Sequence, residues 1–151
     1  MKKWFKRISV FLLIGFIVIQ FFRIDKSVPE YSKSNDFVAI ENPDKNISSI
    51  LTNACYDCHS YETNYPWYAE VAPFSWWIGE HVEEGRKHFN FSLWGDYDAG
   101  KKDHKLEECI SEIEKNKMPD ANYVRMHSAA KISDEDKNNL LAYFQKLRSE
   151  L

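Results

Sequence analysis

Residues 55–59 read Cys-Tyr-Asp-Cys-His, and this pentapeptide narrows what the chain can fold into more than any other stretch. Two thiols separated by two residues and followed at once by an imidazole suit covalent attachment of haem. The sulfurs are spaced for thioethers to the two vinyl groups of one porphyrin, and the next side chain falls under the iron. Cys55 and Cys58 are then the attachment sites, His59 the proximal ligand, and the expected cofactor is one haem c per chain. A fold built on this motif must supply an apolar surface for the porphyrin and a residue for the iron's opposite face.

Other uses of the same residues fit less well. Redox dithiols of the thioredoxin kind follow a strand in a βαβ unit, whereas Ala54 precedes Cys55 here at the end of a helical pattern. A zinc site needs a closed tetrahedron of ligands, and two Cys and one His within five residues have no second ligand pair to close one. Cys109 lies on the inward side of a helical pattern and reads as a small buried hydrophobe. With two of the three cysteines in the pentapeptide, no disulfide framework is available.

The N-terminus carries its own pattern. Lys2, Lys3, Lys6 and Arg7 precede an apolar run from Ile8 to Phe22, with no small-residue cleavage site after it. Residues 1–23 are therefore expected to form an uncleaved signal anchor, a transmembrane helix with its basic head in the cytoplasm. That places the protein in the cytoplasmic membrane, crossing once, with its C-terminal domain on the extracytoplasmic (periplasmic) side. Residues 24–43, polar and broken by Pro29 and Pro43, read as a linker, and residues 44–151 as the haem-binding domain. Removing the four N-terminal cations from the 20 basic residues leaves 16 against 23 acidic. Such an acidic balance excludes nucleic acid as a partner, because phosphate binding needs a basic face.

The periodicity is helical throughout, so the expected fold is all-α, a small helical domain behind the anchor. Ile47, Ile50, Leu51 and Ala54 fall on one helical face behind a possible Asp44 cap and lead straight into Cys55. Pro73 opens a second helix reaching about Lys87, with Phe74, Trp77, Ile78, His81, Val82 and Gly85 as an apolar stripe. Phe89 to Gly100 reads as a loop. A third helix covers roughly Lys105 to Lys117, and Ser133 caps a last one that buries Leu140, Leu141, Phe144 and Leu147.

A proximal histidine leaves the sixth coordination position to be filled, and its occupant decides between electron carrier and open-site chemistry. Met118, ahead of Pro119 at a helix end, is the leading candidate for the distal metal ligand. His127, with Met126 beside it in the same loop, and His81 on the apolar stripe are the alternatives. His88 and His104 lie among charges and read as solvated, as does Asp57.

Cys55-Tyr56-Asp57-Cys58-His59-Ser60, Glu62-Thr63, Pro66-Trp67-Tyr68, Ala72-Pro73-x-Ser75-Trp76, Gly85-Arg86, Asn90-Phe91-Ser92-x-Trp94 and Met118-Pro119-x-x-x-Tyr123 with His127 together resemble the small bacterial haem-binding domain family. The likeness covers about residues 36–147. It implies a membrane-anchored, single-haem protein similar to c-type cytochromes, with Cys55 and Cys58 as thioether sites, His59 as proximal and Met118 as distal ligand. The expected function is electron transfer with a redox partner protein that the sequence does not name, an electron carrier rather than an enzyme. The alternative is a haem-based sensor or small peroxidase with a labile distal ligand.

Overall fold

The computed structural model describes residues 2–151. In chain order its helices are α1 (Lys2–Ile19), α2 (Phe37–Glu41), α3 (Lys45–Ala54), α4 (Tyr56–His59), α5 (Phe74–His88), α6 (Ala99–Glu114), α7 (Ala121–Met126) and α8 (Asp134–Ser149). Short 3-10 turns lie at Lys33–Asn35, Trp67–Glu70, Phe91–Asp96 and Ser128–Ala130. No strand occurs among the described residues, in keeping with the all-α expectation.

Helix starts obey side-chain chemistry. Asp44 accepts the Ile47 N–H at 2.9 Å to cap α3, Asp98 accepts the Lys101 N–H at 2.8 Å to cap α6, and Ser133 accepts the Asp136 N–H at 3.0 Å to cap α8. Each satisfies an amide that the helix leaves without a partner. Asp98 also explains why α6 begins six residues ahead of the expected Lys105: the cap recruits Ala99 to His104 into the helix. Helices α6 and α8 pack along one another and are tied at the rim by Arg148, whose guanidinium donates to both Asp103 carboxylate oxygens at 2.7 and 3.2 Å.

The core centres on Phe37, which is wholly buried. Its ring meets Phe91, Trp94, Tyr143 and Phe144 edge-on at centroid separations of 5.3, 5.0, 6.4 and 6.2 Å, the arrangement that brings positive ring edges onto negative faces. Phe37 belongs to the stretch expected as linker, and its capping residue Asp36 accepts both the Val38 N–H and the Tyr56 hydroxyl. Tyr56, inside the pentapeptide, stacks on Phe91 at 4.9 Å. The haem-motif turn is thereby built on the core rather than appended to it.

The expectation of a membrane anchor is corrected here. No helix among the described residues is long and apolar enough to cross a membrane. Helix α1 is 18 residues long, but Lys2, Lys3, Lys6 and Arg7 occupy its first two turns, leaving about 12 apolar residues, or about 18 Å of rise. A bilayer's hydrocarbon core is about 30 Å thick. The helix stops where Gln20 leaves it: its amide donates to the Ala72 carbonyl at 3.1 Å and accepts the Ala72 N–H at 2.9 Å. The transmembrane half of the expected architecture, and the single-pass location in the cytoplasmic membrane drawn from it, are therefore not supported.

Beyond α1 the chain crosses the foot of α5. The Trp76 indole N–H donates to the Phe22 carbonyl at 2.6 Å, Ile24 covers Gly79, and Lys26 pairs with Glu70. Further on, Tyr31 donates to Glu62 at 2.9 Å and Lys33 pairs with the same carboxylate.

Truncating Phe37 to Ala removes the ring shared by four aromatic neighbours and should cost about 3–5 kcal/mol. Chemical denaturation of the haem-free full chain, monitored by far-ultraviolet dichroism, measures this; a loss below about 1 kcal/mol would contradict the central placement of Phe37.

Candidate functional site

Helix α3 delivers Cys55 and ends there, the Cys55 N–H still bonded to the Leu51 carbonyl at 2.9 Å. The chain then makes the single turn of α4, with the Cys58 and His59 N–H groups both donating to the Cys55 carbonyl at 3.2 and 2.9 Å. Positions i, i+3 and i+4 of a helical turn share a face, so Cys55, Cys58 and His59 lie together. The three cysteines are free thiols.

His59 is fixed by its backbone neighbours. Its Nδ1 lies 2.9 Å from the Gly85 carbonyl oxygen and 3.2 Å from that of Phe89. Both oxygens can only accept, so Nδ1 carries the proton and Nε2 keeps its lone pair. Burial holds the imidazole below the ordinary histidine range, so it is neutral at pH 7. This is the form and orientation a metal-ligating histidine takes, with its second nitrogen anchored by a carbonyl.

Glycine at position 85 permits that anchor. A Cβ there would stand 2.5 Å from the Cys58 carbonyl oxygen and 3.2 Å from the Cys58 Cβ, so only a bare backbone lets α5 approach α4 this closely. The next residue, Arg86, clamps the segment after the motif: Nε donates to the Ser60 carbonyl at 2.7 Å and Nη2 to the Thr63 hydroxyl at 2.8 Å. Ser60 is fully buried and donates to the Tyr56 carbonyl, and Ser92 accepts the Tyr61 N–H at 3.0 Å.

The remaining candidates lie in the second half of the chain. Helix α6 ends with Asn116 in the left-handed region at φ 55°, a conformation asparagine tolerates, and the Met118 N–H donates back to the Glu112 carbonyl at 3.2 Å. The Met118 side chain is exposed. Tyr123, on the α7 that Asp120 caps, donates its hydroxyl to Asp57 Oδ2 at 2.6 Å, so α7 and the Met118 loop ahead of it run beside the attachment turn. His127 has both ring nitrogens engaged, Nδ1 with the Tyr123 carbonyl at 3.0 Å and Nε2 with the Tyr68 hydroxyl at 3.2 Å, and its ring stacks on Tyr123 at 4.1 Å. His81 donates from Nδ1 to the Trp77 carbonyl at 2.8 Å and faces solvent.

Helix α5 buries Ser75 and Val82 rather than the full expected stripe, and leaves Phe74 and Trp77 exposed. Trp67, Met118 and Met126 are exposed as well. Their elements adjoin: the Trp67–Glu70 turn packs on α5, and Tyr68 reaches His127 at the end of α7. Large apolar side chains left in water on adjoining elements are what a flat apolar ligand would cover. No group of three or more His, Cys, Asp or Glu able to hold a metal ion occurs among the described residues.

Asp57, expected to be solvated, is half-buried, with both carboxylate oxygens engaged. Sequence reasoning misses it because nothing in the pentapeptide marks its second variable position as a hydrogen-bonding hub.

The thiols bear on the redox-dithiol alternative. Burial pushes Cys58 up to about 11 and Cys55 up to about 12, whereas a nucleophilic dithiol needs a lowered pKa. Alkylation of the haem-free chain by iodoacetamide should therefore be slow at pH 7 and keep accelerating as pH rises toward 11, where an ordinary thiol levels off above about 8.5. A plateau near neutral pH would restore the dithiol reading. Separately, Gly85→Ala should destabilise the haem-free chain by about 1–3 kcal/mol and cut haem loading, read by thermal melting and by haem stain after denaturing electrophoresis.

Comparison with known proteins supports haem as the cofactor. Residues 14–146 match the family model described as a haem-binding domain. The chain is also similar to Cytochrome c peroxidase Ccp of Escherichia coli (strain K12), with 26% identity over 117 residues, which is 74% of this chain but 25% of that protein. It thus spans about a quarter of the length of that relative. No solved structure matches. With the family model spanning the pentapeptide, the Gly85 anchor and the Met118 loop, the chain belongs to the haem-binding domain family.

Proposed function

We propose that the protein is a single-haem c-type electron carrier. In this reading Cys55 and Cys58 hold the porphyrin through thioethers, His59 Nε2 is the proximal ligand and the Met118 thioether is the distal one. The observation that carries it is the His59 imidazole, with Nδ1 committed to the Gly85 carbonyl and Nε2 left free, on the same face of one helical turn as two unpaired thiols. Haem, when bound, supplies a one-electron couple at its iron.

The protein's own part is placement and environment. The Gly85 and Phe89 carbonyls hold His59 in one tautomer and strengthen it as a donor toward a metal. Burial raises the pKa of both thiols, so they stay protonated at neutral pH before attachment. A soft thioether at the sixth position favours the reduced iron and raises the potential. The acidic balance outside the N-terminal helix suits a redox partner with a basic docking face, and association should weaken as salt rises.

One observation favours a second reading. Met118 is 41% exposed, and the curated relative is by name a cytochrome c peroxidase; a distal thioether that leaves easily would open the iron to peroxide or a diatomic gas. Rapid carbon monoxide binding to the reduced protein at neutral pH selects this reading, and slow or absent binding selects the electron carrier.

The central experiment is expression in a host that matures c-type cytochromes. Cys55→Ala with Cys58→Ala should abolish covalent haem, and His59→Ala should prevent stable holo-protein from accumulating. Met118→Ala should leave haem attached but remove the weak long-wavelength band of thioether-ligated ferric haem. An unchanged low-spin spectrum and potential in the Met118 variant would exclude it as the distal ligand.

A further inference from the structure

The pentapeptide's second variable residue reaches across to the opposite side of the site. Asp57 Oδ2 accepts the Tyr123 hydroxyl at 2.6 Å, while Oδ1 accepts the Asn64 N–H at 2.8 Å and the Asp57 carbonyl accepts the Thr63 hydroxyl at 2.7 Å. The Tyr123 hydroxyl also lies 3.3 Å from the Asn53 carbonyl. Tyr123 is one turn into α7, its N–H donating at 3.0 Å to the capping carboxylate of Asp120. Pro119 and Met118 come immediately before that cap. From the other direction the Met118 N–H is held by the Glu112 carbonyl at the end of α6. A short, stiff path therefore runs from the attachment turn through Asp57, Tyr123 and Asp120 to Met118.

We propose that Asp57 and Tyr123 are positioning residues, which through their hydrogen bond set the Met118 loop at a fixed distance from the Cys55–His59 turn and so hold the distal ligand in reach of the iron. The inference rests on the reading of Met118 as that ligand. Its physical basis is independent of haem, because a hydrogen bond to a carboxylate is among the stronger ones a protein makes and this one joins two segments 66 residues apart. Tyr123 stays a donor, since burial and the Asp57 carboxylate both raise its phenol well above the ordinary range. It also braces His127 by stacking and through its carbonyl. His127 is thereby held by Tyr123 and Tyr68, whereas the Met118 thioether, adjoining the cap of α7, is left unengaged.

The test uses the full chain with haem attached and three variants: Tyr123→Phe, which removes one hydroxyl and keeps the stacked ring; Asp57→Ala; and Asp57→Asn, which keeps an acceptor of the same shape. Tyr123→Phe and Asp57→Ala should leave covalent haem at the level of the unmodified chain, at least halve the thioether band, and speed carbon monoxide binding about ten-fold. The double variant should be no worse than the more affected single one, as expected for two ends of one interaction. Asp57→Asn should recover most of the band. The proposal is overturned if the unmodified chain shows the band and Tyr123→Phe leaves both band and binding rate within two-fold. If the unmodified chain holds haem but shows no band, the Met118 reading has failed instead. Amide exchange in the haem-free variants then decides: residues 118–126 exchanging about ten-fold faster, with α8 unchanged, retain the positioning role, and unaltered exchange removes it.

Discussion

The closest approach of α5 to α4, at Gly85, is the constraint on which the rest of the site depends. A carbonyl can orient an imidazole only from hydrogen-bond distance, and here the carbonyl belongs to a helix whose backbone must nearly touch the residue before the histidine. A side chain at position 85 would hold the two helices apart. Their contact does several things at once. The Gly85 carbonyl selects the His59 tautomer, the neighbouring Arg86 reaches the Ser60 carbonyl and Thr63, and the chain leaving the motif is pinned before it enters the aromatic stretch at Tyr65–Tyr68.

The same turn is held from beneath. Tyr56 stacks on Phe91 and donates to Asp36, and Phe91 is one of the rings packed on Phe37. Dispersion and burial therefore set the height of the turn, while backbone carbonyls set its rotation. Within the pentapeptide, Tyr56 ties the turn to the core and Asp57 ties it to α7.

Much of this is legible in the sequence because the relevant signals are local. Cysteine and histidine spacing marks the turn, the Asp44 and Ser133 caps mark helix starts, and apolar spacing finds α3, α6 and α8. Signals that depend on what lies across the fold are not legible. Phe37 sits in a polar stretch whose periodicity is too short to register, yet its ring meets four others in the core. The stripe on α5 reads as buried because Phe74 and Trp77 are apolar; the structure instead buries Ser75 and Val82 and leaves those two rings exposed. Asp57 resembles any surface acid until Tyr123 is placed opposite it. The transmembrane expectation overweights hydropathy: the run is apolar, but its helix is shared with four cations at one end and cut short by Gln20 at the other.

The Gln20–Ala72 pairing has a mechanical meaning. Two hydrogen bonds to one residue's backbone resist rotation as well as separation, and Ala72 stands at the foot of α5, with Trp76 and Gly79 gripping the next residues of the crossing segment. From Phe74 to Gly85 is about 17 Å of helix, stiff along its axis. Helix α5 is thereby a strut whose lower end is loaded by α1 and whose upper end carries the carbonyl that orients His59. The segment that leaves α1 is thus fastened to the N-terminal end of the same helix whose other end orients His59.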